Sequence, residues 1–236
     1  MLPVIIPHYK KPEQLKRCIE CLEKQSAPVE IFVHDNSVDN IYFTAAINKG
    51  IRKYLDSDCK YIAAINQDMY LEPNAIEEMI KFMDSHPQCG ICVPLQLKSD
   101  NPEYVICAGG FEAFPAGKHL FGKLEEFKED MEIPWANGAC IFLRKEMIFE
   151  IGLLDKNLKL LCSDSDYSFT ARSKGWEIWT AVKARGIHEH GVSGKNTNIE
   201  MEKLKINDTI YFADKWLTGN LYRALTLEGT RMSAEE

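Results

Sequence analysis

Along its first half, the chain alternates short apolar runs with longer stretches whose apolar positions recur every three or four residues. Pro3 to Pro7 is a β-branched run, and PEQLKRCIECLEKQ after it predicts an amphipathic helix from about Pro12 to Gln25. Val29 to His34 is a second strand, ending in the turn-rich segment Asp35 to Asn40. A helix around Phe43 to Leu55 contains Asn48-Lys49-Gly50. Tyr61 to Ile65 is a third strand, ending at Asn66-Gln67-Asp68. Pro73 opens a third helix, where its missing N–H is harmless, and this runs to about Ser85. Ile91 to Leu95 is a fourth strand. Apolar strands separated by helices predict an α/β fold, a mostly parallel sheet covered on both faces.

The second half is less regular. Tyr104 to Ala108 and Ala139 to Leu143 have strand character, Gly109-Gly110 lies between them, and Phe111 to Met131 reads as a loop-rich excursion. Arg144 to Ile151 is helical up to Gly152, and Ser163 to Lys174 is helical up to Gly175. Glu177 to Ala181 is a strand, followed by Ile187-His188-Glu189-His190-Gly191, and a helical pattern returns after about Thr197. No composition shift marks a linker, so residues 1–236 read as one domain.

Charge and cysteine usage narrow the classes. The formal charge of -7, with both signs interspersed, argues against nucleic acid as a partner. A phosphate ligand still fits, because a bound divalent cation supplies positive charge locally. No apolar run approaches the length of a membrane span, so the expected location is cytoplasmic. Cys18-x-x-Cys21 and Cys89-x-x-Cys92 have zinc-ligand spacing. The first pair falls within a helical pattern and the second at the start of an apolar strand, so buried, reduced thiols are the simpler reading.

Candidate chemistry gathers at strand ends. Ligands of such sheets sit outside the carboxyl ends of the strands, and Asp35 and Asp68 follow the second and third strands. Asp164 and Asp166 lie in the first turn of a predicted helix, where capping explains them as well as general-base chemistry does. His188 and His190 form an H-x-H after a strand, a weak signal for a metal.

Taken in order, VIIPHYKKPEQL, IFVHDNSVDN, AAINKGI, YIAAINQDMYLEP, WANGACIFLRKEMIFEIGLLD, CSDSDYSFTARSKGW and IHEHGVS resemble the family 2 glycosyltransferases, rhamnosyltransferase-like and galactosyltransferase-like members above all. The resemblance runs from about Val4 to Ser193. It implies a GT-A fold: a Rossmann-like nucleotide-binding half (about 1–100), a continuous acceptor and catalytic half (about 101–195) and a C-terminal helical tail (about 196–236). Pro7 and Tyr9 match the motif beside the nucleoside, and Asp35 the acid near the pyrimidine or ribose. Asn66-Gln67-Asp68 matches the D-x-D-type motif, with Asp68 as metal ligand, and His188 the histidine that completes the metal site. Asp164 matches the catalytic base. Trp135, Asn137 and Gly138 match the segment near the donor sugar and acceptor, and Asp166 is assigned with them. Three departures stand out: a single carboxylate in the D-x-D-type motif, Lys10 where the family usually has Asn, and Ser163 where an acid commonly precedes the base.

The implied reaction is an inverting transfer from a UDP- or dTDP-sugar, with Mn2+ or Mg2+ as cofactor, onto a hydroxyl of a glycan or lipid-linked glycan. Polysaccharide or glycan biosynthesis is the implied setting. Lys195 is a candidate to add charge over the donor. A lipid-linked acceptor implies peripheral contact with the inner face of the membrane, to which the amphipathic stretch after Trp216 would contribute. A glycoside hydrolase would need two carboxylates but neither nucleotide nor metal. A sugar nucleotidyltransferase would announce itself by a Gly-rich basic loop that PHYKKPEQL lacks. The alternatives are a degenerate, binding-only protein of the same fold and, despite the missing loop, a sugar nucleotidyltransferase.

Overall fold

A computed structural model describes residues 1–112, 118–189 and 199–217. In chain order the elements are β1 (Leu2–His8), α1 (Pro12–Glu23), β2 (Val29–Asp35), α2 (Tyr42–Tyr54), β3 (Tyr61–Ile65), β4 (Met69–Leu71), α3 (Ala75–Ser85), β5 (Cys89–Lys98), β6 (Asn101–Cys107), β7 (Gly110–Glu112), β8 (Lys118–His119), β9 (Gly122–Lys123), β10 (Met131–Glu132), β11 (Cys140–Arg144), α4 (Lys145–Ile151), α5 (Ser163–Arg172), β12 (Glu177–His188) and α6 (Ile199–Trp216). The path through the main sheet is β10-β12-β5-β11-β3-β1-β2. β2, β1 and β3 run parallel, as do β5 and β12, while β11 runs antiparallel between β3 and β5.

The period of two along each strand sorts the core into two layers. Leu2, Val4 and Ile6 of β1 pack with Ala63 and Ile65 of β3 and Phe142 of β11 beneath α1 and α3. Ile5, Ile62, Ala64, Ile141 and Leu143 point the other way, against α2, α4 and α5. Each helix presents one apolar stripe: Ile47, Ile51 and Tyr54 of α2, and Ile76, Met79 and Met83 of α3. Gly50 lets α2 close on β1, since a Cβ there would sit 2.6 Å from the Ile5 side chain.

Three features differ from the sequence pattern, and the first two bear on the site. β4 is too short to register as a strand, yet it pairs antiparallel with the end of β12, setting Met69 opposite His188. β12 does not stop at Ala181: a register shift between Ala181 and Arg185 bulges it, and pairing resumes through His188. α3 begins at Ala75, because Pro73 is spent in the turn before it, its carbonyl accepting the Ser26 N–H at 2.8 Å. His190, Lys195 and the amphipathic stretch after Trp216 lie outside the described residues, Leu217 excepted. Among the described residues no helix is long and apolar enough to cross a membrane.

Candidate active site

The ends of β1, β2 and β3 open on one edge of the sheet, and a recess of about 220 Å3 lies there. It gathers Pro7, Tyr9, Asn66, Gln67 and Asp68, all expected at a nucleotide or metal site. It also takes in residues the sequence did not single out: Asn36 and Asn40 of the turn after β2, the Tyr42 and Phe43 rings, Leu160, and Met201 from the start of α6. Asp35 stands outside this lining, half exposed, with its Oδ1 accepting the Ser37 N–H at 2.8 Å. That backbone hydrogen bond holds its carboxyl below the ordinary aspartate value.

Gln67 shapes the recess from within. Its Oε1 accepts the Tyr9 N–H at 2.9 Å and faces His8 Nδ1 at 2.7 Å, while its Nε2 donates to the Lys10 carbonyl at 3.0 Å. The amide thus pins the loop after β1. Lys10 and Lys11 take left-handed backbone angles there, φ 44° and 78°. Asn, the residue usual at position 10 in the resembled family, tolerates that conformation better than Lys. The other non-glycine residues with positive φ among the described ones are Tyr42, which lines the recess, and Cys162, two residues before Asp164. Strained backbone collects around functional sites.

Asp68 and His188 meet because β4 zips onto β12. His188 Nε2 lies 3.6 Å from Asp68 Oδ1, both side chains largely buried. That is too long for a hydrogen bond. It is the spacing of two donors that share one cation, which lie roughly 3–4 Å apart when each is about 2.1 Å from the ion. The carboxylate oxygen suits Mn2+ or Mg2+ and the imidazole nitrogen suits first-row transition ions, so the mixed pair fits Mn2+ better than Mg2+. Among the described residues no group of three His, Cys, Asp or Glu side chains converges on a metal position, and Asp68 and His188 are the two described ligands here. The Glu189 N–H donates to the Asp68 carbonyl at 3.0 Å, and the Glu189 carboxylate is gripped by Arg17, Gln14 and Tyr70. This clamp ties the end of β12 to α1 and β4. Below it, Cys18 is a buried thiol directed at the Asn66 carbonyl, 3.7 Å away, and burial pushes its pKa up to about 12.

Asp164 opens α5, and its Oδ2 accepts the Gly138 N–H at 2.8 Å and its Oδ1 the Ser165 N–H at 2.9 Å. Burial raises its pKa above the ordinary aspartate value, against the lowering pull of those N–H groups. A Cβ on Gly138 would lie 3.2 Å from both Asp164 Oδ2 and the Phe43 ring, so the carboxylate stands close to a wall of the recess. The loop leading to it is fastened twice. Asn48 of α2 exchanges two hydrogen bonds with the Leu154 backbone, at 2.8 and 3.0 Å. Asp208 of α6, buried, accepts the N–H groups of Lys159, Leu160 and Leu161 at 3.2, 2.7 and 2.9 Å.

The remaining expected residues have other surroundings. Asp166 is buried, and its Oδ1 accepts from Trp216 Nε1 at 2.7 Å and Lys215 Nζ at 2.8 Å, which ties it to α6. Helical geometry explains this: two positions apart is about 200° around the axis, so Asp164 and Asp166 cannot share a face. Trp135 is buried in the cluster with Leu158, Phe169, Phe212 and Trp216, its edge against Gly110, and its Nε1 has no partner among the described residues. Asn137 has its oxygen and nitrogen occupied by neighbours: Oδ1 accepts from Gln96 Nε2 and the Ala139 N–H, each at 3.0 Å, and Nδ2 donates to His119 Nε2 at 3.2 Å. Gln96 in turn faces His188 Nδ1 through its Oε1 at 2.8 Å. Gln96 and Asp208 have no place in the sequence reading, and Asn48 has one only within the AAINKGI segment. The available signal for Gln96 was an amide in the apolar run CVPLQL.

A larger cavity, about 970 Å3, lies elsewhere, between the β6–β9 region and the β12 bulge. It is lined by residues such as Tyr104, Phe127, Lys128 and Lys183 and has none of the groups above.

No protein-family model and no curated protein matches the sequence. Among solved structures, the fold is similar to a crystal structure of GalNAc-T7 with UDP, GalNAc and Mn2+, with a TM-score of 0.67 at 13% identity. That match covers 94% of this chain, which spans half the length of the other. At this identity the likeness speaks for architecture, and the architecture of this chain is the GT-A fold.

Proposed function

We propose that this chain is an inverting, cation-dependent glycosyltransferase, moving a sugar from a UDP- or dTDP-linked donor to a hydroxyl of a glycan or lipid-linked glycan. The observation that carries this reading is the approach of Asp68 Oδ1 and His188 Nε2 to 3.6 Å beside the recess at the strand ends. Asp68 and His188 would hold a Mn2+ or Mg2+ ion, which when bound would stabilise the charge that gathers on a diphosphate leaving group. Tyr9, Tyr42 and Phe43 offer aromatic walls for a base. Asp35, kept ionised by Ser37, is an acceptor for a pyrimidine N–H or a ribose hydroxyl.

Asp164 is the general base. Two backbone N–H groups orient its carboxylate, one on each oxygen, and burial strengthens its hold on a proton. It takes the proton of the acceptor hydroxyl as that oxygen bonds to the anomeric carbon and the bond to the diphosphate oxygen breaks. Attack on the face opposite the leaving group inverts the centre. The reading places the enzyme in the cytoplasm, at the inner membrane face for a lipid-linked acceptor, and this last part rests on sequence resemblance. The two-ligand donor set also suits a protein that binds nucleotide sugars without transferring them.

Incubation with a panel of UDP- and dTDP-sugars, with Mn2+ or Mg2+ and simple sugar acceptors, separates these readings. Donor consumption giving a product with the opposite anomeric configuration by NMR is expected. A retained configuration contradicts direct displacement, and binding with no turnover of any donor, even to hydrolysis, supports the binding-only protein.

A further inference from the structure

The hydrogen bonds around Gln96 fix more than a side-chain position. The Ala139 N–H only donates, so the atom of Asn137 that faces it at 3.0 Å is the amide oxygen. The amide atom of Gln96 at 3.0 Å from that same oxygen must then be its NH2 group. Gln96 therefore turns its carbonyl oxygen toward His188 Nδ1, 2.8 Å away. A carbonyl oxygen accepts and does not donate, so Nδ1 carries the hydrogen. In the singly protonated form, which is the form that can ligate a metal, the one N–H on Nδ1 leaves the lone pair on Nε2, the atom 3.6 Å from Asp68 Oδ1. Gln96 is only 1% exposed and lies on the central strand β5, so water does not compete for these bonds.

We propose that Gln96 and Asn137 are positioning residues that set the tautomer of His188, relaying the direction of one backbone N–H, that of Ala139, to the nitrogen that faces Asp68. This rests on the reading of Asp68 and His188 as a cation site. The relay prepares His188 as a ligand before any ion arrives. Without the Gln96 oxygen the hydrogen is no longer held on Nδ1, and the tautomer that carries it on Nε2 is closed to a metal. The relay also gives Asn137 a task distinct from sugar contact, since Ala139, Gln96 and His119 engage its polar atoms.

Two measurements test this. The first is the imidazole 15N spectrum of the metal-free wild type, with His188 assigned by comparison with His188→Gln. The Nδ1–H tautomer is expected, and an Nε2–H tautomer overturns the relay without any variant having to fold. The second is Mn2+ affinity in the presence of UDP for wild type, Gln96→Met and Gln96→Glu. Gln96→Met keeps the shape and removes the acceptor, and an affinity loss of about 10–100-fold with a mixed tautomer is expected. Gln96→Glu keeps an acceptor opposite Nδ1 but sets its second oxygen against Asn137 Oδ1, so it is expected to keep the Nδ1–H tautomer and recover only part of the affinity. A folded Gln96→Met protein with wild-type tautomer and affinity overturns the proposal. A wild type that binds no Mn2+ overturns the cation reading instead, while the tautomer spectrum still decides the relay.

Discussion

The two halves of the sheet hold their functional groups by different means. At the ends of β1, β2 and β3 the groups follow the strands directly: Pro7, Asp35 and Asn66 sit where apolar strands run out, backbone pairing sets their places, and one buried amide, Gln67, pins the loop after β1. In the other half, buried polar side chains do the placing. Gln96 and Asn137 reach His188, Asp208 gathers the loop before α5, and Asp166 fastens α6. Backbone placement tolerates substitution of side chains. Placement by buried amides and carboxylates does not, because a lost partner leaves a desolvated group unpaired.

That contrast orders the expected effects of substitution. The largest belongs to Asp164→Asn, expected to lower kcat by about 10²–10⁴-fold with donor binding kept, read by steady-state kinetics. The wild-type pH profile sharpens this. Because burial raises the Asp164 pKa, the base is protonated as pH falls through that raised value, and the acid limb should lie above the ordinary aspartate range. The same shift has a sign for stability. The folded state keeps this proton longer than the unfolded chain, so the Asp164 contribution falls as pH rises from the ordinary to the raised value.

Next comes Asp208→Ala, which leaves three backbone N–H groups without their carboxylate and should cost about 3 kcal/mol in urea unfolding. Asn48→Ala removes a two-bond bridge between α2 and the Leu154 backbone, and a loss of about 1–2 kcal/mol is expected by the same measurement. The smallest effect is expected in the backbone-placed half. Asp35→Asn, at a half-exposed carboxylate, should weaken nucleotide binding no more than about fivefold by calorimetry. A loss from Asp35→Asn larger than that from Asp208→Ala would break the comparison.

The legibility of the sequence divides along the same line. β1 to β3 and α1 to α3 show in the pattern because each buries a regular face, and the Asp35 and Asp68 positions follow from where those runs end. β4 escaped because three residues hold too little alternation to register, and the second half of β12 because the bulge, with Lys183, Arg185 and Gly186, breaks its apolar rhythm. Those two segments are what bring His188 to Asp68, so the pairing came from resemblance and not from the pattern. Asp164 and Asp166 look alike in sequence, since both enrich a first helical turn. Only the packing of α6 separates a carboxylate beside Gly138 from one bonded to Trp216. Gln96 shows the general limit: an isolated amide in an apolar strand reveals that something polar is buried, but not what it holds.

The most direct test of the cation site is calorimetric binding of UDP and dTDP, with and without Mn2+ or Mg2+, to wild type, Asp68→Ala and His188→Ala. Binding of one nucleotide that requires the cation and disappears in both variants is the predicted result. Equal binding without the cation, or undiminished cation-dependent binding in Asp68→Ala, contradicts the account.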